Sequence, residues 1–361
     1  KIGYINVMLD EMSRIDVNTD KDRDTYHRVL GEALFLRAYA YFTLANLYGD
    51  AYAPSTKDVK LNVPLKLTPY VEHNKEKETQ FVRATNKEVY EQIVLDLSES
   101  IANFDKVVTP PSVKKIYRAS KTAAHLLLGR VYLYMQEWDK AEYYSDLALK
   151  DKKYFIENIS AFSHDKAFLT KDNSEIIFSQ GSNHLSTNKV FTGDAGDFCV
   201  SSDLFLSFDA KNDKRIVFFN PNLNTDSLSL GSKYEKGSFR SRISDVFTLR
   251  YSEALLNKAE ACAMQQGKES VANDALFEMR KNRILEYARE DFTGASLVDE
   301  IRLERRRELC FEGHRWFDLR RYAVNEKYPF EKEIIHDINA GNDHIDYVTT
   351  DTYVLAKGDK A

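Results

Sequence analysis

The stretch that most restricts the fold of this chain runs from Ala123 to Lys150 and reads AAHLLLGRVYLYMQEWDKAEYYSDLALK. Leu128, Gly129, Tyr132, Trp138, Ala141 and Ala148 fall at the spacing of a two-helix repeat of about 34 residues. The spacing has a mechanical reason. Gly129 and Ala141 are small where two antiparallel helices cross, while Tyr132 and Trp138 fill the space between those helices and toward the next pair. A chain carrying such a unit is committed to stacked helices, because one pair cannot bury its own apolar face.

This is the spacing of the tetratricopeptide repeat, and the rest of the chain extends it. Leu30, Leu34, Ala38, Tyr41, Ala45 and Tyr48 form one face of a helix from about Tyr26 to Tyr48, with Phe35, Tyr39 and Phe42 beside it. A helix apolar on two sides is sandwiched. Gly49 follows as a stop in the left-handed conformation that glycine adopts cheaply. Thr85 and Glu88 make a capping box before Val89, Ile93, Leu97, Ile101 and Phe104. Gly267 turns one late helix into the next. Ile176–Phe178 and Val217–Phe219 read as short strands. The expectation is an all-α, tetratricopeptide-like scaffold of about four helix pairs with a few short strands. It forms a single domain, 1–361, with helices mainly at 26–49, 86–105, 119–150 and 245–323. Loop-rich insertions occupy 50–85 and 151–244, and loops of that length inside a compact domain are usually functional.

Charge removes several functions. Lys and Arg total 51 against 56 Asp and Glu, a net charge of -5, which is a poor match to a phosphate backbone; nucleic acid is not an expected partner. The Arg302, Arg305, Arg306, Arg307 run reads as structural, an ion-pair network with the interleaved Glu300, Glu304 and Glu308, which are themselves spaced by four. In the same segment Trp316 and Phe317 read as core, with Asp318 tied to a nearby arginine. The cysteines Cys199, Cys262 and Cys310 show no CxxC pair, and the last two read as small buried hydrophobes. No apolar run reaches the roughly 20 residues of a membrane span. The start at Lys1, without Met or signal pattern, reads as a fragment or processed product.

Five ordered segments together resemble the SusD/RagB family of outer-membrane nutrient-binding lipoproteins. They are GEALFLRAYAYFTLANLYGD (Gly31 to Asp50), RASKTAAHLLLGRVYLYMQEWDKAEYYSDLAL (Arg118 to Leu149), LFLSFDAKNDKR (Leu204 to Arg215), FTLRYSEALLNKAEA (Phe247 to Ala261) and ERRRELCFEGHRWFDLRRY (Glu304 to Tyr322). The third carries Asp213 and Arg215 where the family has its aspartate-x-arginine segment. The fourth has Ser252 where alanine is commoner. The resemblance implies a lipidated protein on the extracellular face of the outer membrane, sitting as a lid on a SusC-like TonB-dependent barrel transporter and capturing glycans or, in some members, peptides. The lipobox cysteine is absent from this chain, and Tyr353, Val354 and Leu355 lack the proline-rich segment that usually follows in the family. The first insertion lacks tryptophan, which departs from a starch-like specificity.

No catalytic signature is present: no nucleophile elbow, phosphate-binding loop, HExxH or dinucleotide glycine pattern. The expectation is a non-catalytic protein with no cofactor and no metal. Asp337, Asn339 and Asp343 superficially resemble a calcium loop, but the positions needing Gly and Glu hold Asn342 and Val348, so the segment reads as solvated loop. Ligand contact is expected from Asp50, Tyr52, Asn62 and Tyr70, because sugars need flat rings beneath their C–H faces and polar partners for their hydroxyls. Phe191, Phe198, Tyr234 and Phe239 are weaker candidates. The alternatives are a peptide-binding member of the same family and a tetratricopeptide scaffold that holds a protein partner in its groove.

Overall fold

Thr19 starts the longest helix of the chain by accepting the Asp22 amide on its hydroxyl at 3.1 Å. Its side chain supplies one of the bonds that the first helical amides lack. The computed structural model describes residues 1–69, 82–111, 113–181, 183, 185, 200–221, 228–235, 242–339 and 348–354. A first helix, α1 (Ile2–Met12), precedes the long α2 (Asp20–Tyr48), which pairs with α3 (Asn86–Asp105). Next come α4 (Lys121–Met135) and α5 (Trp138–Leu149), and, after the insertion, α7 (Tyr251–Ala263) and α8 (Glu269–Lys281). The last helices are α9 (Gly294–Glu308) and α10 (Arg315–Ala323). The insertion itself holds β1 (Ile176–Phe178), the one-turn α6 (Ser202–Phe205), β2 (Phe219–Pro221), β3 (Leu228–Leu230) and β4 (Leu249–Arg250). β5 (Glu333–Asn339) and β6 (Val348–Val354) form a C-terminal antiparallel ladder.

The repeat spacing is realised in α4 and α5. Every residue from Thr122 to Tyr134 is buried, as expected of a helix covered by α3, α5 and α7. A Cβ on Gly129 would stand 2.9 Å from the Ser145 Oγ and 3.2 Å from the Ser145 amide nitrogen, so only glycine lets the two helices approach this closely. Tyr132 stacks on Tyr144 with ring centroids 5.6 Å apart. Trp138 packs against both the α2–α5 core and the α7–α9 core, which joins successive pairs. The capping box at Thr85 and Glu88 is present, and Gly267 takes φ +78 at the turn between α7 and α8.

Several expectations change. Gly49 has φ -96 and is not left-handed; glycine is needed there because a Cβ would lie 2.2 Å from the Asn62 side chain. Residues Val217 and Phe218 belong to a 3-10 turn, and the strand begins only at Phe219. Trp316 is 45% exposed, whereas Phe317, on the side of α10 turned to the core, is buried. The stretch holding Asp337 and Asn339 is strand β5, while Asp343 lies outside the described residues. The insertion also builds a core of its own, with Phe168, Phe218, Phe219, Leu230, Tyr234 and Ile243.

The arginine-rich helix is structural, but among the described residues only Arg307 pairs with a glutamate of its own run, Glu304 at 3.6 Å. Five cations (Arg215, Lys233, Arg250, Arg280, Arg283) meet five carboxylates (Glu175, Asp213, Glu304, Glu308, Glu312), and none is more than 3% exposed. Antiparallel pairing of β1 and β4 sets Arg250 beside Glu175. Arg250 then reaches Glu175 at 2.8 Å, Glu308 at 2.6 Å and Glu312 at 2.8 Å. Arg283 bonds Glu308 at 2.9 Å and Glu175 at 2.6 Å. Arg215 grips Asp213 at 2.8 Å and reaches Glu308 at 2.9 Å. From the α9 run itself, Arg305 pairs with Asp318 at 2.9 Å and Arg306 with Asp203 at 2.7 Å. Burial alone would raise the Glu308 carboxyl, but Arg283 and Arg250 outweigh it and hold it well below the usual carboxylate range.

Removing one member strands the others as buried unpaired charges. Glu308→Ala is therefore expected to cost about 3–5 kcal/mol of stability in urea unfolding. A loss under about 1 kcal/mol, the range of a surface pair, would show that the network does not hold the insertion to the helices.

Candidate functional site

The turn after α2 is arranged by two asparagines. Asn62 donates from Nδ2 to the Asn86 Oδ1 at 2.5 Å, and its own Oδ1 accepts the Val63 amide at 2.8 Å. Asn86 also donates to the Asp50 carbonyl at 3.3 Å, which closes the turn onto the start of α3. Tyr52 packs its ring 4.7 Å from that of Tyr90 and is 4% exposed. Burial pushes its hydroxyl up to about 12. Of the four residues expected to touch ligand, Tyr52 and Asn62 thus have side chains buried in the turn. Asp50 is exposed, with Lys60 3.6 Å away, and Tyr70 lies outside the described residues. Among the weaker candidates, Tyr234 is buried and donates to the Phe311 carbonyl at 2.9 Å. Phe191, Phe198 and Phe239 lie outside the described residues.

A larger opening lies at the other end of α2. A cleft of about 1010 Å³ is walled by Arg28 and Glu32 in the first half of α2, the end of α3, residues of 107–111 and 113–119, the start of α4 and the turn after α5. It exists because α4 and α5 are antiparallel, so the beginning of one and the end of the other meet. The α4 N-terminus opens here, with Ser120 capping the Ala123 amide at 3.2 Å. Seven cationic side chains line the cleft (Arg28, Lys114, Lys115, Arg118, Lys121, Lys150 and Lys153) against three carboxylates, a net +4 in a chain whose total is -5.

The three carboxylates are engaged. Glu32 is held by Arg118 and, at 3.5 Å, by Arg28. Asp105 pairs with Lys121. Asp151 accepts the Thr122 hydroxyl at 2.5 Å and the Lys153 amide at 3.1 Å. Lys115, Lys150 and Lys153 form no ion pair among the described residues. Lys114 donates to the Asn173 carbonyl at 2.5 Å and lies 5.5 Å from the Tyr154 ring centroid; burial brings its ammonium down to about 8. On the far side of the 114–118 segment lies a second hollow of about 490 Å³, edged by Lys171 and by Tyr117, which is 46% exposed.

The sequence reading did not single out this cleft. Its signal was present as the lysine pairs Lys114–Lys115 and Lys152–Lys153, which bracket one helical hairpin and so come to the same end of it.

Comparison with known proteins adds two family matches. Residues 1–133 match a family model described as starch-binding, associating with outer membrane, and residues 231–356 match the SusD family. Among solved structures, a SusD superfamily protein from Bacteroides fragilis is similar with a TM-score of 0.70 and 25% identity, covering 98% of this chain and 76% of its own. A SusD superfamily protein from Bacteroides thetaiotaomicron gives a TM-score of 0.73 at 22% identity, with 89% and 72% covered. A SusD-like carbohydrate binding protein from Bacteroides vulgatus gives 0.71 at 20% identity, with 98% and 73% covered. No curated protein matches the chain.

Two outcomes follow from the geometry. Tyr52→Ala is expected to lower stability by about 2–4 kcal/mol, as for other large buried side chains, read as a shift in the urea midpoint; unchanged stability would show that the ring is free of the core. His125, in the cleft floor, is buried and is brought down to about 4 by that burial and by Lys121. Its neutral form is the folded one, so its contribution is complete above about 6.5, the unfolded value, and is lost as pH falls toward 4. Stability measured between pH 7 and 4 should fall less steeply in His125→Gln, the difference reaching at most about 1.4 kcal/mol per pH unit; parallel curves would disprove the assignment.

Proposed function

Since the chain belongs to the SusD/RagB family, we propose that it captures oligosaccharide at the outer membrane without cleaving it, and that the cleft beside α4 is where the sugar sits. The observation that carries this reading is the combination, at one end of the helical stack, of a roomy cleft lined by charged side chains with an exposed tyrosine in the hollow behind its 114–118 wall. Oligosaccharides use both: ring faces stack on an aromatic plane, and hydroxyls exchange hydrogen bonds with charged and amide groups. The cleft carboxylates support a binding role, since Glu32 and Asp105 are neutralised by neighbouring cations and Asp151 is held by a hydroxyl and an amide. Held on the extracellular face by a lipid anchor beside a SusC-like TonB-dependent barrel, such a protein delivers its glycan to the transporter. The 50–69 segment, with Asp50 exposed, is the competing location for the sugar.

A glycan array followed by calorimetry tests this. Binding is expected in the micromolar range or weaker, with Tyr117→Ala reducing affinity by about 2- to 12-fold, the worth of one aromatic stacking contact. Asp50→Ala is expected to leave affinity unchanged. The reverse pattern would move the site to the 50–69 segment, and binding of peptides with no glycan bound would move the chain to a peptide-importing role. Shortened sugars after prolonged incubation would end the non-catalytic reading.

A further inference from the structure

We propose that the ligand of this cleft is an acidic oligosaccharide, one whose sugars carry carboxylate or sulfate groups. The inference rests on the cleft being the glycan site and adds the charge of what it takes.

The argument is one of charge left over. A neutral glycan needs acceptors as much as donors, and natural sugar-binding pockets supply both. Here each carboxylate already has a partner, in Arg28, Arg118, Lys121 or the Thr122 hydroxyl, so the cleft offers more free donors than free acceptors. Three ammonium groups, on Lys115, Lys150 and Lys153, have no ion pair among the described residues. They come from two separate segments that the α4–α5 hairpin brings to one opening. A lysine ammonium has donors only, so what it recognises is an acceptor, best a charged one.

Two further features act in the same direction. The N-terminus of α4, a helix of 15 residues, opens into the cleft, and its leading amides and dipole favour a negative group. Lys114 is half-buried with its ammonium partly desolvated, so an arriving anion offsets the charge that burial disfavours. The net charge of the chain is -5, so the positive character is a property of this opening and not of the surface as a whole. The net +4 within one concavity attracts a polyanion over roughly a Debye length, about 10 Å at 0.1 M salt.

The test is calorimetry on the full chain with three probes of equal length: an oligogalacturonate for carboxylate, a sulfated oligosaccharide for sulfate, and a neutral gluco-oligosaccharide. At least one acidic probe is expected to bind ten-fold or more tighter than the neutral one at 50 mM NaCl, and to weaken several-fold at 300 mM. Which acidic probe wins assigns carboxylate or sulfate. Lys150→Gln with Lys153→Gln together is expected to remove most of that preference while the thermal midpoint stays within a degree or two. Since both side chains are exposed, loss of folding does not confuse the result.

If the neutral probe binds as tightly as the acidic ones and Tyr117→Ala still weakens it, the charge inference fails and the cleft remains the glycan site. If the acidic probe binds but ignores both the lysine pair and Tyr117, the cleft reading itself fails. An acidic peptide that binds as well as the acidic sugars would overturn the saccharide assignment, and binding of none of the sugars would overturn both readings.

Discussion

Ten buried charges, with no bulk water to solvate them, hold the two halves of this protein together. Glu304 and Glu308 lie in the last turns of α9 and Glu312 just beyond it, Arg250 opens α7, Arg280 lies at the end of α8 and Arg283 just past it, and Glu175, Asp213, Arg215 and Lys233 belong to the insertion. Desolvating a charge costs several kcal/mol, so each ion is tolerated only where its partners are in hydrogen-bonding geometry. The network contributes discrimination more than raw stability: an apolar interface would accept small slips, whereas the forked contacts of Arg250 to three carboxylates do not. The insertion has its own aromatic core around Phe218 and Phe219, and the charges fix how that core sits on the helices.

Local rules made much of the scaffold legible in the sequence. Gly129, the capping box at Thr85 and the turn at Gly267 each depend on a few neighbouring residues, and each is found as read. What was misread depends on partners distant along the chain. Gly49 is a glycine because Asn62 returns to touch it, thirteen residues on. Trp316 faces outward because α10 turns its other side to the core. Glu304 keeps one arginine of its own helix, Arg307 at 3.6 Å, but it and Glu308 are bound more closely by Arg215, Arg250, Arg280 and Arg283, which arrive from elsewhere. Intrahelical spacing cannot show which of two available charges is nearer in three dimensions.

The candidate site divides along the same line. Tyr52 and Asn62 carry the residue types a sugar site needs, but the first is drawn into the core by Tyr90 and the second into the turn by Asn86. The cleft is assembled from three separate stretches of chain, around Arg28, from Phe104 to His125 and from Leu147 to Tyr154, and no one of them is unusual in composition. It lies toward the other end of α2 from the turn, about 24 Å away along the axis from Glu32 to Tyr48 at 1.5 Å per residue. One long helix therefore carries both openings without bringing them into contact.

The ion network also reaches that cleft. Lys114, in its wall, is bonded to the carbonyl of Asn173, and two residues further on Glu175 is clamped by Arg250 and Arg283. The aperture is thus referenced to a fixed point inside the protein, much as an instrument jaw is set against a datum. A loop anchored only by apolar contacts would let the wall drift and blur which ligands fit. Here a wall presenting exposed lysines stands on a foundation that cannot shift by much without separating charges, so the shape of the rim is maintained from the interior.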